Sequence, residues 1–482
     1  MLVTSSTKRP GNLAIEHAGA TLTYAQLRAA VDAFSAHLTA LGLGRGDPLI
    51  ILLPNGAEIV VAVFAAARLG SIAVPVNLAF QMKEMQYYLE NSQAKAVVTN
   101  EGLAEKHGSF IKGVVPDCQI ITDVLDDNAE LQETSAPRVP FDDDFLYQYS
   151  SGTTGTPKRV VRTQACLVQE ATQYANTLNL SADDKILAVV PIAHSYGFGN
   201  CLLVSIRAGA TLHALDSFNR RHVVDALVDN GITVFPGVPF MFGILADSHS
   251  IKTTHFPALR LAYTAGGPLA KKTFDGCLEK FGIPVRQHYG STETGPISIN
   301  LGSVDGDLWA SVGQPVQQVE FKVVDKNGGP VGVDQIGDIV IRSKSAVTAY
   351  ADSPEEAQRA FSGGYFWSGD LGKIDSNGNL FITGRKTLFI NVGGHKVDPA
   401  EIEAVINEHP GVSETVVLGV ASNHGQEVIK AVIVCSETCE PDEIKNWCKG
   451  KVADFKIPRM IEFREEIPRS PLGKIQRKYM QD

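Results

Sequence analysis

The distribution of apolar residues predicts alternating helices and strands near the start of the chain. Between Thr23 and Gly42, apolar side chains recur at the spacing of one helix face, and they are Leu27, Ala30, Val31, Phe34 and Leu38. Residues 48–54 form an apolar run between two prolines, as in a buried strand. A second helix is expected over residues 58–69 and a second strand over residues 72–76. This alternation favours a parallel sheet with helices on both faces.

The same alternation continues after a less regular stretch. Residues 100–140 show no clear period, so we expect irregular structure there. Residues 145–149 are aromatic and short, which predicts a strand, and residues 160–161 predict a second strand just downstream. Further helices and strands are expected at residues 167–178, 186–191, 222–229 and 233–235.

The pattern changes from about residue 309. Residues 319–324 and 337–341 alternate polar and apolar side chains, which predicts antiparallel strands of a small barrel or sheet. The last hundred residues indicate a separate small unit, with helices and strands at 399–407, 415–420, 428–434 and 442–448. The predicted fold class is therefore α/β. A large N-terminal domain of parallel or mixed sheets with helices carries a barrel-like β subdomain, and a small α+β domain follows.

Composition excludes several classes of function. The chain has 482 residues, of which 44% are hydrophobic and 20% charged, as in a globular protein of two or more domains. The net charge is −10 and no long basic run occurs, so we expect no nucleic-acid partner and no anionic membrane partner. The apolar run 59–67 is too short to cross a bilayer, and no secretory signal follows the N-terminus. The seven cysteines lack a metal-binding spacing, which favours a reducing cytoplasm.

The loop between the strands at 145–149 and 160–161 suits a polyphosphate. It reads Ser150-Ser151-Gly152-Thr153-Thr154-Gly155-Thr156-Pro157-Lys158. Glycine lets backbone N–H groups approach an anion, hydroxyls can donate to phosphate oxygens, and Lys158 adds a positive charge. The sequence does not fit a Walker A loop. From these residues alone, a solvated turn that binds nothing is the alternative.

This segment resembles the phosphate loop of adenylate-forming enzymes, which include acyl- and aryl-CoA ligases, peptide-synthetase adenylation domains and firefly luciferase. The resemblance recurs in the family's order at residues 289–295 (Y-G-S-T-E-T-G), 368–370 (S-G-D), 384–385 (G-R) and 471–474 (P-L-G-K). It implies an ATP-dependent ligase that activates a carboxylic acid as an acyl-AMP and releases pyrophosphate. The acyl group would then pass to the thiol of coenzyme A.

The resemblance assigns the ATP site to several segments of the chain. The residues concerned are Ser150, Ser151, Gly152, Thr153, Thr154, Lys158, Gly266, Gly267, Pro268, His288, Tyr289, Gly290, Asp370 and Arg385. Tyr289 would face adenine, and Asp370 with Arg385 would bind the ribose. Thr292 would donate to the α-phosphate. Glu293 would hold Mg²⁺, which typically takes one or two carboxylates with phosphate oxygens and water.

A further segment, residues 193–199, resembles the acid-binding region of the ligases. His194 would gate the pocket near the reacting carboxylate, although a buried structural histidine is the alternative. The pocket would be lined by His194, Tyr196, Phe198, Gly266, Gly290 and Pro296. Since these positions carry little charge, the resemblance implies an apolar or aromatic acid. No aspartate for an amino group lies near Phe235, which argues against an α-amino acid.

The C-terminal domain would supply the catalytic lysine. The resemblance divides the chain into residues 1–385, which bind ATP and acid, and a mobile domain of residues 386–482. Lys474 would bridge the carboxylate and the α-phosphate, because a cation between two anions offsets their repulsion. Gly393 and Gly394 match the turn that lines the tunnel for the pantetheine thiol. A lysine in a basic tail is the plainer alternative for Lys474.

Several questions stay open at the level of sequence. The acceptor could instead be a carrier-protein phosphopantetheine, or an amine in an amide synthetase. A catalytically silent nucleotide-binding protein is a third reading, although Lys158, Glu293, Asp370 and Lys474 together count against it. The chain could be a monomer or a homodimer. Thr387 at the hinge, where relatives usually have Asp or Lys, and Arg159, where glycine is usual, depart from the family pattern.

Overall fold

The structure is a computed structural model that describes residues 1–80, 82–125, 139–150, 157–248, 256–386, 390–392, 395–397, 399–421, 427–452, 454–470 and 475–481. The chain forms two compact units. The first contains residues 1–321 and 340–367, and the second contains residues 322–339 and 368–482. The division at residue 385 inferred from the family stays a prediction.

Helices and strands alternate along most of the chain, as the apolar pattern predicts. The strands are β1 (Leu13–His17), β2 (Ala20–Thr23), β3 (Pro48–Ile51), β4 (Ile72–Pro75), β5 (Ala96–Val98), β6 (Gln119–Ile121), β7 (Asp144–Ser150), β8 (Lys158–Thr163), β9 (Lys185–Ala188), β10 (Thr211–Ala214), β11 (Val234–Gly237), β12 (Leu261–Thr264), β13 (Val285–Ser291), β14 (Gly295–Ile299), β15 (Gln314–Pro315), β16 (Val319–Val324), β17 (Gly337–Ser343), β18 (Phe361–Ser362), β19 (Tyr365–Ile374), β20 (Leu380–Arg385), β21 (Ile390–Val392), β22 (His395–Val397), β23 (Val412–Ala421), β24 (Glu427–Cys435) and β25 (Met460–Phe463). The helices are α1 (Leu2–Lys8), α2 (Tyr24–Ala40), α3 (Ala57–Leu69), α4 (Met82–Ser92), α5 (Glu101–Val114), α6 (Gln164–Thr177), α7 (Ser195–Gly197), α8 (Val204–Ala208), α9 (Arg220–Asp229), α10 (Pro239–Ala246), α11 (Lys271–Phe281), α12 (Pro354–Ala360), α13 (Pro399–Asn407) and α14 (Pro441–Cys448).

Two mixed sheets form the frame of the first unit. Nine of the described strands lie in the order β15-β14-β13-β12-β11-β9-β10-β1-β2, and six lie in the order β6-β5-β3-β4-β7-β8. The central pairs are parallel, whereas β13–β14 and β7–β8 are antiparallel hairpins. Both hairpins carry segments that the sequence assigns to ATP. The prediction of parallel or mixed sheets with helices is confirmed.

Helices α2 and α3 belong to the core of the first unit. Thr23 and Gln26 form a capping box at the start of α2, which satisfies N–H groups that have no partner within the helix. Gly70 ends α3 with φ +74°, a left-handed conformation that glycine adopts without a steric penalty. Both helices contribute to one buried apolar cluster that also contains Leu49 of β3 and Leu212 of β10. This cluster therefore packs helices together with strands of both large sheets.

The remaining sheets match the pattern predicted for the second half of the chain. Five described strands lie in the order β16-β17-β19-β18, with β20 beside β19, and form the small β subdomain. Strands β23, β24 and β25 form a three-stranded sheet nearer the C-terminus. Its alternate residues face opposite sides, so Val417 packs with Ile402 and Ile444, while Val416 packs with Ile467.

Three expectations about local structure are wrong, one of them the strand expected over residues 186–191, which ends at Ala188. The stretch expected to be irregular contains α5, whose N-terminus is capped by the Asn100 side chain accepting from the Leu103 N–H at 3.0 Å. The strand expected over residues 48–54 ends at Ile51, although Leu52 and Leu53 are also buried.

Within the part of the chain that the structure describes, no helix combines the length and apolar character that crossing a bilayer requires.

Candidate active site

The expected phosphate loop leaves one strand of an antiparallel hairpin and returns on the other. Strands β7 and β8 pair so that Ser150 lies opposite Lys158. Ser151, Gly152, Thr153 and Thr154 lie outside the described residues. Where the loop rejoins β8, the hydroxyl of Tyr87 donates to the Pro157 carbonyl at 2.7 Å. The hairpin register therefore brings the first and last site residues of the loop side by side.

Lys158 has an anionic partner and an aromatic neighbour. Its ammonium forms an ion pair with Glu356 of α12 and lies 5.0 Å from the centre of the Tyr350 ring. The lysine side chain is 15% exposed, so both interactions are partly shielded from water. Such a cation–π contact adds to the electrostatic stabilisation of the ammonium.

Arg159, which stands where relatives usually have glycine, is held by other groups. Its guanidinium lies 4.8 Å from the centre of the Tyr147 ring and donates to the Asn91 carbonyl at 2.7 Å. Its backbone N–H donates to Asp352 at 3.3 Å. The arginine therefore packs on strand β7 and helix α4.

Glu293 lies in the turn between β13 and β14. Its side chain is 7% exposed, and its Oε1 atom accepts from the Tyr350 hydroxyl at 2.9 Å. Its backbone carbonyl accepts from the Val347 N–H at 2.9 Å. Tyr350 therefore contacts both Lys158, through its ring, and Glu293, through its hydroxyl. Two predicted ATP-site residues that are far apart in sequence meet around one tyrosine.

The segment containing His194 lies beside the same hairpin turn. The hydroxyls of Ser195 and Thr292 are 3.2 Å apart, and His194 Nδ1 accepts from the Tyr196 N–H at 3.2 Å. His194 thereby caps the short helix α7. Gly197 follows in this helix, and a Cβ at that position would overlap the Pro191 carbonyl. The predicted acid-gating histidine and the predicted α-phosphate donor Thr292 thus belong to adjacent segments.

A buried ion pair that the sequence analysis missed supports this turn. Arg162 of β8 and Glu170 of α6 are 2.7 Å apart and almost fully buried. Arg162 also donates to the carbonyls of Ser345 at 2.8 Å and Thr292 at 3.4 Å. Burial raises the pKa of Glu170, although the neighbouring Arg162 opposes that change. Alternation along β8 could have indicated that Arg162 points inward, but nothing local identifies its partners.

The predicted acid-pocket residues Tyr196 and Phe198 are buried, and so is Pro296. Tyr196 stacks on His288, with ring centres 5.8 Å apart and planes 19° apart. His288 is 5% exposed, and burial lowers its pKa to about 3. The imidazole is therefore neutral at physiological pH. His288 lies beside a predicted acid-pocket residue, although the resemblance assigns it to the ATP site.

The remaining predicted residues of the first unit lie at strand ends. Gly266, Gly267 and Pro268 follow β12 and are exposed, and Gly266 has φ +87°, which requires glycine or strain. Tyr289 is half-buried in β13, and Gly290 next to it is exposed. The first three positions come directly after parallel strand β12, and Tyr289 and Gly290 lie beyond Gln287, where the parallel pairing of β13 with β12 ends. Ligands of α/β sheets commonly bind at such ends of parallel strands.

In the second unit the structure pairs two predicted ribose ligands. Asp370 of β19 lies opposite Arg385 of β20, and the carboxylate and guanidinium are 2.5 Å apart. The Asp370 side chain is 9% exposed, while that of Arg385 is 43% exposed. The other predicted residues of this unit lie outside the described residues, and they are Thr387, Gly393, Gly394 and Lys474.

The donors around Glu293 fit Mg²⁺ bound together with a nucleotide. Among the described residues, no group of three or more His, Cys, Asp or Glu side chains could hold a metal alone. Mg²⁺ commonly takes only one or two carboxylates, with phosphate oxygens and water completing its shell. A buried carboxylate in a hairpin turn, held by the Tyr350 hydroxyl, is consistent with this mode.

Comparisons with known proteins identify relatives over nearly the whole chain. The AMP-binding enzyme family model matches residues 2–351, and the model of the AMP-binding enzyme C-terminal domain matches residues 401–474. The chain is 31% identical to 4-coumarate–CoA ligase 3 of Oryza sativa subsp. japonica, over 95% of this chain and 87% of that protein. It is similar in structure to ATP-bound MatB from Rhodopseudomonas palustris, with a TM-score of 0.90, 27% identity and coverage of 100% and 97% of the two chains. It is also similar to the O-succinylbenzoate coenzyme A synthetase MenE from Bacillus subtilis in complex with ATP and magnesium ion, with a TM-score of 0.89, 28% identity and coverage of 100% and 99%.

Proposed function

This chain belongs to the AMP-binding enzyme family, and we propose that it activates an apolar or aromatic carboxylic acid as an acyl-AMP and transfers the acyl group to coenzyme A. It is an acid–thiol ligase of the AMP-forming class, as the sequence predicts. ATP, Mg²⁺ and coenzyme A are accordingly its cofactors, in agreement with the prediction. The identity of the acid and the choice of final acceptor are the parts that we propose.

The observation that carries the proposal is the meeting of two hairpins around Tyr350. Lys158 begins the returning strand of the first hairpin, and Glu293 lies in the turn of the second. The Tyr350 ring contacts the lysine, and its hydroxyl donates to the glutamate at 2.9 Å. This proximity suits a phosphate-binding cation and a magnesium-binding carboxylate, because Glu293 would hold the Mg²⁺ that neutralises the phosphates held by Lys158.

The chemistry requires charge neutralisation and alignment. A carboxylate is a poor electrophile, and transfer of AMP to it creates a mixed anhydride with a good leaving group. Lys158 and the hydroxyls of the phosphate loop would hold the β- and γ-phosphates and the departing pyrophosphate. Thr292 would donate to the α-phosphate, and Glu293 would hold Mg²⁺, which neutralises charge on the phosphates. Holding the carboxylate oxygen in line with the α-phosphorus supplies much of the rate acceleration.

The family resemblance assigns further roles to residues of the second unit. Asp370 and Arg385 would bind the ribose, and Lys474 would bridge the carboxylate and the α-phosphate. In the thiol-transfer step the C-terminal domain, residues 386–482, would rotate, and Gly393 and Gly394 would line the path of the pantetheine arm. Such a rotation needs only a few backbone dihedral angles to change at the hinge, where this chain has Thr387.

The acid is proposed from the side chains of the expected pocket. Tyr196 and Phe198 are buried and aromatic, and His194 is placed by its cap on α7 beside them. An apolar or aromatic acid suits these side chains. In a second candidate function, the acyl group passes to a carrier-protein phosphopantetheine or to an amine. This candidate is kept because Thr387, at the hinge position where relatives usually have Asp or Lys, affects only the step that transfers the acyl group.

The test is acid-dependent exchange of pyrophosphate into ATP across a panel of carboxylic acids, followed by detection of acyl-CoA. Exchange with at least one apolar or aromatic acid, together with acyl-CoA formation, is expected. Exchange without acyl-CoA would indicate a carrier protein or an amine as acceptor. Absence of exchange with every acid, for a folded protein that still binds ATP, would overturn the proposal in favour of a silent nucleotide-binding protein.

A further inference from the structure

His288 is a buried polar residue whose partners are missing from the described part of the protein. Its side chain lies in β13 and is 5% exposed. Neither Nδ1 nor Nε2 has a hydrogen-bond partner among the described residues. A buried polar atom that loses its water without gaining a partner destabilises the fold, and an apolar side chain at this position would avoid that cost. The histidine is therefore better explained by a partner that arrives with a ligand.

The environment of His288 places these nitrogen atoms at the expected acid pocket. Three tyrosine rings surround the imidazole, and the ring-centre distances are 5.2 Å to Tyr174, 5.8 Å to Tyr196 and 5.9 Å to Tyr263. A Cβ added to Gly290 would lie 3.3 Å from the imidazole Cε1 atom. Tyr196 and Gly290 are both expected to line the acid pocket. His288 therefore borders the space proposed for the acid.

Two further buried polar atoms lie in or next to this cluster. The hydroxyl of Tyr174, whose ring centre is 5.2 Å from that of His288, has no hydrogen-bond partner among the described residues. Asn200 is 3% exposed, and its side-chain oxygen has no hydrogen-bond partner among the residues that the structure describes. The hydroxyl of Tyr263, one of the three tyrosines around His288, donates to the Asn200 backbone carbonyl at 3.3 Å. A neutral imidazole offers one donor and one acceptor, the Tyr174 hydroxyl can also donate and accept, and the Asn200 amide oxygen in the neighbouring segment is an acceptor.

This combination selects the chemistry of the missing group. A hydroxyl both donates and accepts, so it matches a neutral imidazole and a phenol hydroxyl, each of which can also donate and accept. A second carboxylate matches poorly, because it would be buried against three tyrosine rings and a neutral imidazole, with no cation among these groups to compensate its charge. We infer that the acid activated by this enzyme carries a hydroxyl group away from its carboxylate, and that His288 binds that hydroxyl. The inference rests on the proposed function and narrows its substrate class to hydroxy acids.

The experiment compares acids that differ by one hydroxyl. Pyrophosphate exchange is measured with the full-length protein for benzoate, cinnamate and unbranched aliphatic acids, each beside its monohydroxy derivatives. A site that hydrogen-bonds a substrate hydroxyl rejects the analogue that lacks it, so kcat/KM for one hydroxy acid is expected to exceed that of its parent by at least about 100-fold. In His288→Leu this preference should fall by at least about tenfold, the factor for roughly one hydrogen bond. A rise in the KM for ATP without loss of this preference would instead indicate that His288 serves the ATP site, and would overturn the inference.

Three controls separate recognition from a structural role. His288→Leu should melt at or above the wild-type temperature, because it removes unpaired buried atoms, whereas a structural histidine would give a lower melting temperature. His288→Gln, which keeps a donor and an acceptor, should retain part of the preference. His107→Leu is the matched control, because His107 is also buried and its Nδ1 also lacks a partner among the described residues, but it lies in α5. It should leave the preference unchanged.

The outcomes also distinguish this inference from the proposed function. Exchange with several acids, but with equal kcat/KM for each hydroxy acid and its parent, would overturn the inference and leave the ligase assignment intact. The same holds if His288→Leu keeps the full preference, or if a dicarboxylic acid is the best substrate. Absence of exchange with every acid would instead overturn the proposed function.

Discussion

Replacing Tyr350 by phenylalanine isolates the hydrogen bond that connects the two hairpins. The substitution removes the hydroxyl that donates to Glu293 Oε1 at 2.9 Å and keeps the ring that lies 5.0 Å from the Lys158 ammonium. Both Tyr350 and Glu293 are 7% exposed, so water does not readily replace the lost donor. The carboxylate proposed to hold Mg²⁺ then loses a group that fixes its position.

The magnitude follows from the type of hydrogen bond. A hydrogen bond to a charged group contributes about 1.5–3 kcal/mol. If that stabilisation is needed for the position of Glu293 in the adenylation transition state, kcat/KM for Mg–ATP falls about 10- to 150-fold. Tyr350→Leu also removes the cation–π contact with Lys158, which contributes about 0.5–2 kcal/mol, and is expected to lose more.

The assay is pyrophosphate exchange at saturating acid, with the Mg²⁺ concentration varied at a fixed total concentration of ATP. Tyr350→Phe should require more Mg²⁺ for half-maximal exchange, because the metal ligand is less well positioned. The chain provides a matched control in Tyr365, whose hydroxyl donates to Glu320 at 2.9 Å and whose ring lies 5.0 Å from the Arg342 guanidinium. Tyr365→Phe removes a similar hydrogen bond outside the predicted site and should leave the Mg²⁺ dependence unchanged.

Two results would refute this reasoning. One is a Tyr350→Phe enzyme with the wild-type kcat/KM and Mg²⁺ dependence, which would show that the link between the hairpins does not serve Glu293. The other is an equal loss of activity in both tyrosine variants, which would indicate a general loss of stability. Thermal unfolding of both variants, followed by circular dichroism, distinguishes the second case.

Three further predictions concern the second unit and the ion pairs of the first. Lys474→Ala is expected to slow pyrophosphate exchange by about 100- to 1,000-fold, as when one charge-stabilising donor is removed, with an unchanged melting temperature; equal losses of activity and stability would contradict the proposed role. Burial raises the pKa of Asp184, but hydrogen bonds to its carboxylate, led by that from Arg260, lower it by more. The pKa of Asp184 therefore lies below its usual 3.8. Its stabilising contribution is therefore complete above pH 3.8 and is lost as pH falls through the lower folded value, so the urea midpoints of wild type and Asp184→Asn should differ at neutral pH and converge in acid. Glu170→Gln leaves the buried Arg162 without a counter-ion and should cost about 3–5 kcal/mol of unfolding free energy in urea; a loss typical of a surface pair, about 0–1 kcal/mol, would contradict the importance of burial.

Local patterns were sufficient to predict the elements that carry the site. Helix α2 follows from five apolar residues on one face, all within one short stretch. The strands flanking the phosphate loop follow from short aromatic and β-branched runs. Helix α5 was missed because His107 and Ile111 are its buried residues, which is too few to give a clear period. The Asn100 cap was the signal that could have revealed it.

The groups that support the site could not be predicted from such patterns. Arg162 and Glu170 look like ordinary surface charges, and their burial depends on the carbonyl of Ser345, 183 positions away from Arg162. Tyr350 is 57 positions from Glu293 and gives no local signal of either contact. Family resemblance predicts which residues meet the substrates, whereas the side chains that hold those residues in place depend on long-range packing.

The ion pair between Lys158 and Glu356 bears directly on how the phosphate loop works. The structure gives the lysine a carboxylate partner and an aromatic neighbour, so the ammonium is already paired with an anion before phosphate binds. If Lys158 holds phosphate oxygens, these compete with Glu356 for the three N–H donors of the ammonium, and the interaction gained is the difference between phosphate and carboxylate as partners. The Tyr350 contact need not be lost, because the ring and the phosphates can occupy different sides of the ammonium. Tyr350 would therefore keep Lys158 and Glu293 in one arrangement while the anionic partner of the lysine changes.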